Sequence, residues 1–306
     1  MKAFALVTAL LATGCGFGAP SGLSAGDASD DGTTQDDDGV VIIRDAPGDP
    51  VDAATVDATL DGPPPETCTG SPDHDGDGLR DDCDLCPHLP SAALPQPDGD
   101  GDGVGDACDP RPAIAGDHRV AFFGFYDGDS LAAFNQYNVS WTIIGGRVMP
   151  TTLSSKIAIL ALPDDMARAY AVTSVAYTSL RGDLKSEVGI DAAFHVTNQA
   201  IDRYSSCNLV AGGGGIDARA SASWPGGRDS VKAAWTDTNV SLRIAIDQQQ
   251  SGGQEQVQCT LTPEAGPVAA PVCDESTTTT GRVALYADNG ALASFDYLFV
   301  VSRGGP

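Results

Sequence analysis

The chain has 306 residues, with 42 Asp and Glu against 17 Lys and Arg and a formal net charge of −25. That balance argues against nucleic acid or an anionic membrane surface as partner, since both would repel it, and favours cations. The charge is uneven: residues 15–112 hold 22 Asp and one Glu against three Arg, whereas residues 113–306 are nearly balanced.

Lys2 supplies a positive start, and Ala3–Ala12 is an apolar run too short to span a bilayer, the order of an export signal. The run ends in Leu11-Ala12-Thr13-Gly14-Cys15, which resembles the lipobox of bacterial lipoproteins, with Ala12 where Leu is usual. The resemblance implies a signal peptide over residues 1–14, a lipid anchor at Cys15, and, from Gly16 after it, sorting to the outer membrane. A plain secretory signal with Cys15 incidental is the alternative. Export implies an oxidising compartment, in which the seven other cysteines can pair, leaving at least one over.

Residues 15–67 are Gly, Ala, Ser, Thr, Asp and Pro with almost no aromatics. Val40-Val41-Ile42-Ile43 is the one apolar cluster, too small to offset the entropy of ordering, so the segment is expected to be a disordered acidic linker. Its like charges and Pro63-Pro64-Pro65 should keep it extended, as a tether.

Residues 68–112 contain an internal repeat. Asp73, Asp75, Asp77, Gly78, Asp81 and Asp84 match Asp98, Asp100, Asp102, Gly103, Asp106 and Asp109, 25 residues later. Carboxylates at loop positions 1, 3 and 5 can reach one centre from a curled backbone. Position 7 offers a carbonyl (Leu79, Val104), position 9 an acid or a water, and position 12 closes the shell, while glycine at position 6 permits the turn. Calcium takes six to eight oxygens and tolerates such a loop; magnesium demands a stricter octahedron. Two or more Ca2+ ions are expected. Position 12 is Asp rather than Glu, and Pro87, Pro90, Pro95, Pro97 and Pro110 forbid flanking helices, so this is no EF-hand.

The runs Asp-Asp-Cys-Asp-Leu-Cys-Pro at 81–87 and Pro-Gln-x-Asp-Gly-Asp-Gly-Asp-Gly-Val-Gly-Asp-Ala-Cys-Asp at 95–109 closely resemble thrombospondin type 3 repeats. The resemblance covers about 40 of the 306 residues. It implies disulfides Cys68–Cys83 and Cys86–Cys108 and a structural, stalk-like role for the calcium loops.

From residue 113 to 306, eleven or so β-rich runs recur between Arg119–Tyr126 and Ser294–Val301, with Gly, Asn or Asp between them. Alternation is clearest at Leu242, Ile244 and Ile246 against Ser241, Arg243 and Ala245. The fold class is therefore mainly β, a two-sheet antiparallel jelly-roll sandwich. Met166–Tyr170 can open a short helix. Residues 281–301 read as a hairpin turning at Asn289-Gly290, a pattern that resembles the closing hairpin of laminin G and concanavalin A-like domains. Trp141 and Trp235 read as core, and Trp224, beside Pro225-Gly226-Gly227, as a ring able to face a sugar. Cys207 and Cys259 lie on strands and can pair, leaving Cys273 odd.

That fold hosts lectins, adhesion modules and glycosidases, so the site must decide. No Glu-x-Asp-x-x-Glu, Gly-x-Ser-x-Gly or His-Glu-x-x-His is present. His118 and His195 have no partner at ligand spacing, and Asp127 and Asp129 read as a solvated turn rather than a further calcium site. The expectation is a non-catalytic domain that binds a polysaccharide or a surface protein. The alternatives are a glycan hydrolase using a carboxylate pair such as Glu187 and Asp191, and a spacer without ligand.

Overall fold

A computed structural model describes residues 72–304 except 153–156, 180–185, 198–199, 213–214, 225–226, 236–240, 252–253, 264–268, 276–279 and 289. Cys15, Cys68, the signal segment and the linker fall outside the described residues.

Among the described residues the chain forms sixteen strands and one 3-10 turn, Leu131–Ala133. The strands are β1 His118–Phe123, β2 Asn135–Tyr137, β3 Trp141–Ile143, β4 Val148–Pro150, β5 Ala158–Ala161, β6 Met166–Ala167, β7 Ala169–Ser179 and β8 Glu187–Thr197. They continue as β9 Ala200–Gly212, β10 Gly215–Trp224, β11 Gly227–Trp235, β12 Ser241–Ser251, β13 Gln254–Pro263, β14 Val272–Glu275, β15 Thr280–Asp288 and β16 Leu292–Ser302. Every pairing is antiparallel. One sheet runs β14-β13-β12-β7-β16-β4-β3 with β1 also on β16, and the other runs β11-β10-β9-β8-β15-β5-β2 with β6 on β15. The fold is the expected two-sheet sandwich.

Period-2 alternation builds the core, because successive side chains on a strand point to opposite faces. Leu242, Ile244 and Ile246 of β12 and Val257, Cys259 and Leu261 of β13 face Val188 and Ile190 of β8, Cys207 and Leu209 of β9, and Val283 and Leu285 of β15. Cys207 and Cys259 form a disulfide that joins β9 of one sheet to β13 of the other. Cys273 lies on β14.

Two local expectations are corrected. Met166–Tyr170 is not helical: β6 and β7 meet there at a bend at Arg168 (φ 47°), and Ala169 and Ala171 of β7 fill core positions opposite β16 and β12. Residues 281–301 are not a hairpin: β15 pairs with β8 and β5, while β16 pairs with β7, β4 and β1 in the opposite sheet. The turn beside Gly290 (φ 76°) reverses the chain but lifts it across the sandwich, so both strands can turn an apolar face to the same core.

The outer face of the first sheet is covered. Tyr297, Phe299 and Val301 of β16 and Val172 of β7 point away from the main core and pack against Cys86, Val104 and Cys108. Residues 72–117 thus form a layer packed on the sandwich.

Candidate metal centre

Each aspartate loop closes on itself through the same hydrogen bonds. The position-1 carboxylates, Asp73 and Asp98, accept from the amides of positions 4 and 6 at 2.8 to 3.0 Å. Positions 4 and 6 are glycines in the left-handed region in both copies: Gly76 and Gly78 (φ 78° and 96°), Gly101 and Gly103 (φ 77° and 90°). Only this conformation curls the backbone so that amides face inward onto position 1, and only glycine adopts it without strain. Asp77 and Asp102 at position 5 accept from the amides of Leu79 and Val104. A carboxylate oxygen of each of Asp73, Asp75 and Asp77 lies within 4.8 Å of the others, and likewise for Asp98, Asp100 and Asp102.

Positions 3 and 12 indicate what the loops can hold. Asp75 and Asp100 each use Oδ1 to accept from the amide of position 5. Asp84 and Asp109 use Oδ1 to accept from Cys86 and Arg111 amides. The other oxygen of all four, Oδ2, is buried with no protein partner. A buried acceptor without a donor costs about 1–3 kcal/mol, and more when charged. The same two positions carry it in both loops, and hard carboxylate oxygens suit a cation such as calcium. Asp81 at position 9 already accepts from the His74 amide and the Tyr126 hydroxyl (2.6 Å), so it braces its loop. Asp106 likewise accepts from the Gly99 amide. A bound ion would be held by positions 1, 3, 5 and 12 and the position-7 carbonyls of Leu79 and Val104.

Burial also changes the proton affinity of these carboxyls. Burial, opposed by backbone hydrogen bonds and aided by neighbouring aspartates, pushes the carboxyls of Asp75 and Asp109 up to about 6, and raises Asp84 as well. A carboxyl whose folded pKa exceeds its unfolded value of 3.8 favours the fold while protonated. That contribution is complete below about pH 4 and lost as pH rises through about 6. In EGTA the melting temperature should therefore fall between pH 4.5 and pH 7.5. Calcium needs the ionised form, so it should reverse the trend and expel protons on binding near pH 6. Thermal melts at both pH values, with and without calcium, check the sign.

The sandwich reaches into both loops through residues far away in sequence. Arg119 of β1 donates to the carbonyls of Asp81 and Asp84, and Tyr126 reaches Asp81. Asp117, buried just before β1, pairs with Arg111, while the amides of Gly116 and Asp117 donate to Asp102 Oδ2. Asp102, Asp109 and Asp117 also have oxygens within 4.8 Å of one another. Gln96 bridges the repeats, donating to Asp84 and accepting from the Leu85 amide. His74 meets the ring edges of Phe122, Tyr126 and Tyr297 at centroid distances of 5.4 to 5.9 Å. His88 lies tilted on Tyr297 and Phe299 at 5.0 and 4.5 Å, and burial lowers its pKa to about 3, so it is neutral. None of these contacts was read from sequence. The position-4 glycines could have been, since both copies carry them.

The remaining site residues are dispersed. Cys86 and Cys108 form a disulfide, and Cys83 is disulfide-bonded; Cys68, its expected partner, is outside the described residues. Asp127 and Asp129 sit in a turn, accepting from the amides of Gly146 and Tyr126. Trp141 is core, and Trp224 ends β10. Glu187 and Asp191 come together: they stand two pleats apart on the outer face of β8 and line one pocket with Asn208 and Tyr286. The pair differ in surroundings. Glu187 accepts from Asn208 Nδ2 at 2.9 Å and lies 3.8 Å from Arg219, while Asp191 is buried with Oδ1 unpartnered.

No protein-family model matches the chain, and no curated protein matches it in sequence. Solved structures similar to it include the carbohydrate-binding module CBM66 from Bacillus subtilis, at 11% identity and a TM-score of 0.40 over 54% of this chain and 92% of that one. A legume lectin-like domain from Entamoeba histolytica matches at 8% identity and a TM-score of 0.42, over 56% and 91%. A bifunctional GH43-CE protein from Bacteroides eggerthii matches at 13% identity and a TM-score of 0.45, over 59% of this chain and 26% of that one.

Proposed function

We propose that the protein is a calcium-dependent recognition module of a bacterial surface. It is anchored through a lipid at Cys15 in the outer membrane, lifted on residues 15–67, and clamped by two or more Ca2+ ions in residues 68–112. Its sandwich, residues 113–306, binds a polysaccharide or a surface protein without turning it over. The observation that supports the calcium reading is the set of four buried, unpartnered carboxylate oxygens on Asp75, Asp84, Asp100 and Asp109. Equilibrium dialysis should find two tightly held calcium ions per chain, with magnesium a poor competitor. Asp75→Ala and Asp100→Ala should each abolish one site, weakening it at least about 100-fold, since each removes a ligand and leaves the rest of the shell facing solvent. Fewer than one calcium per wild-type chain would end this reading.

A second reading, a glycan hydrolase, is favoured by the unlike surroundings of Glu187 and Asp191. Burial, then the charge of Glu187, raises the Asp191 carboxyl well above the usual range, whereas Glu187 sits beside Arg219 and Asn208. Two carboxyls in unlike surroundings lining one pocket are an arrangement that general acid–base hydrolysis of a glycosidic bond uses. Release of reducing ends from a polysaccharide, lost in Glu187→Gln, would establish turnover and displace the first reading.

A further inference from the structure

The two outer faces of the sandwich differ. The first sheet is covered by the aspartate loops, and the second carries a pocket of about 70 Å3 between β5, β8, β9, β10 and β15. Gly189 separates Glu187 from Asp191 on this face. A Cβ there would meet the Cys207 carbonyl at 2.2 Å and Asn208 Cβ at 2.7 Å, so β8 and β9 approach closely only because residue 189 is glycine. That approach sets Asn208 directly beside the two acids.

Asp191 is 7% exposed and Asn208 2%, yet Asp191 Oδ1 and Asn208 Oδ1 have no partner. Both atoms belong to side chains lining the pocket. A position needed only for folding would be cheaper with an apolar side chain, because each unpaired buried acceptor costs about 1–3 kcal/mol. The wall also holds Tyr204, Ser206 and Tyr286, the last two hydrogen-bonded to each other, and apolar surface from Ile159 and Ile201.

We propose that this pocket is the ligand site of the sandwich and that it takes the terminal residue of a neutral sugar chain. Asp191 and Asn208 would meet its hydroxyls, and Ile159 and Ile201 its C–H face. The proposal rests on the reading of the sandwich as a glycan-recognition domain. Size selects a chain end: at about 10–15 Å3 for each water, the pocket holds a few waters or the rim of one ring. Charge selects neutrality. Glu187 and Asp288 repel an anion such as a uronate. The amide and the hydroxyls both donate and accept, which matches sugar hydroxyls; an ammonium group only donates.

The test is calorimetric titration of the calcium-loaded full chain with methyl glycosides of the neutral hexoses, and with methylammonium and glucuronate for contrast. One neutral glycoside should bind 1:1. Asp191→Ala and Tyr286→Phe should each weaken it at least 10-fold, with calcium stoichiometry and melting temperature kept. If Asp191→Ala does not fold, Tyr286→Phe and Asn208→Ala decide. Wild-type affinity in these variants would overturn the site and move glycan recognition elsewhere, leaving the functional reading intact. Methylammonium or glucuronate binding in place of any neutral glycoside would overturn the ligand class. Binding of none of the probes by the wild-type chain would overturn the pocket and the glycan reading together, while the calcium count stands on its own measurement.

Discussion

EGTA at pH 7.5 should expose residues 72–117 to protease and lower the melting temperature by about 15 °C or more. The layer has almost no core of its own: Val104 is fully buried, but against the sandwich. What holds each loop closed is a ring of hydrogen bonds around carboxylates that, without a bound cation, repel one another. A ligand present at 1,000 times its Kd stabilises by about 4 kcal/mol per site, so two sites supply about 8 kcal/mol. For a domain of this size each kcal/mol is worth about 2–4 °C. Equal protease resistance and an unchanged melt in EGTA would show that the loops close without metal.

Phe299→Ala should cost about 3–5 kcal/mol, the usual range for emptying a large buried aromatic site. It should also weaken calcium binding in both loops. Phe299 is fully buried on the outer side of β16, under His88 and beside Val104, Cys86 and Cys108. If docking of the layer and closure of the loops are one event, the linkage is reciprocal, and a weaker dock means weaker ion affinity. Thermal melts with calcium titration measure both at once. Lost stability with undiminished calcium affinity would mean that the loops bind their ions independently of the sandwich.

These two effects mark where the sequence was legible. Each aspartate loop is twelve residues long, so its carboxylates and its turn glycines lie within one reading window. The spacing of Asp73, Asp75 and Asp77 is itself the geometry. The docking surface is the opposite case. Arg119, Tyr126, Tyr297 and Phe299 meet the loops across dozens to hundreds of residues, and no local pattern joins them. One signal was present: Tyr297–Val301 is apolar on both faces of its strand, which requires cover on both sides. The misread hairpin has a related cause. Asn-Gly specifies that the chain reverses, not which sheet receives the returning strand. Glu187 and Asp191 could be named from sequence as a candidate pair, but Asn208, Tyr204 and Tyr286, which complete the pocket around them, come from neighbouring strands.

The crossing between β15 and β16 bears on the order of assembly. β15 lies between β8 and β5, and β16 between β7 and β4, so the last two strands in chain order occupy the middle of the two sheets. Until both have been synthesised, β7 and β8 each lack one neighbour, and β2, β3, β4 and β5 have no strand joining them to their sheets, although β12 and β13 can already face β8 and β9. Completion of both sheets is therefore late, with slow, non-local pairing as its final step. Nascent chains halted before residue 280 should bind holdase chaperones and be digested faster than the full chain, even with calcium present.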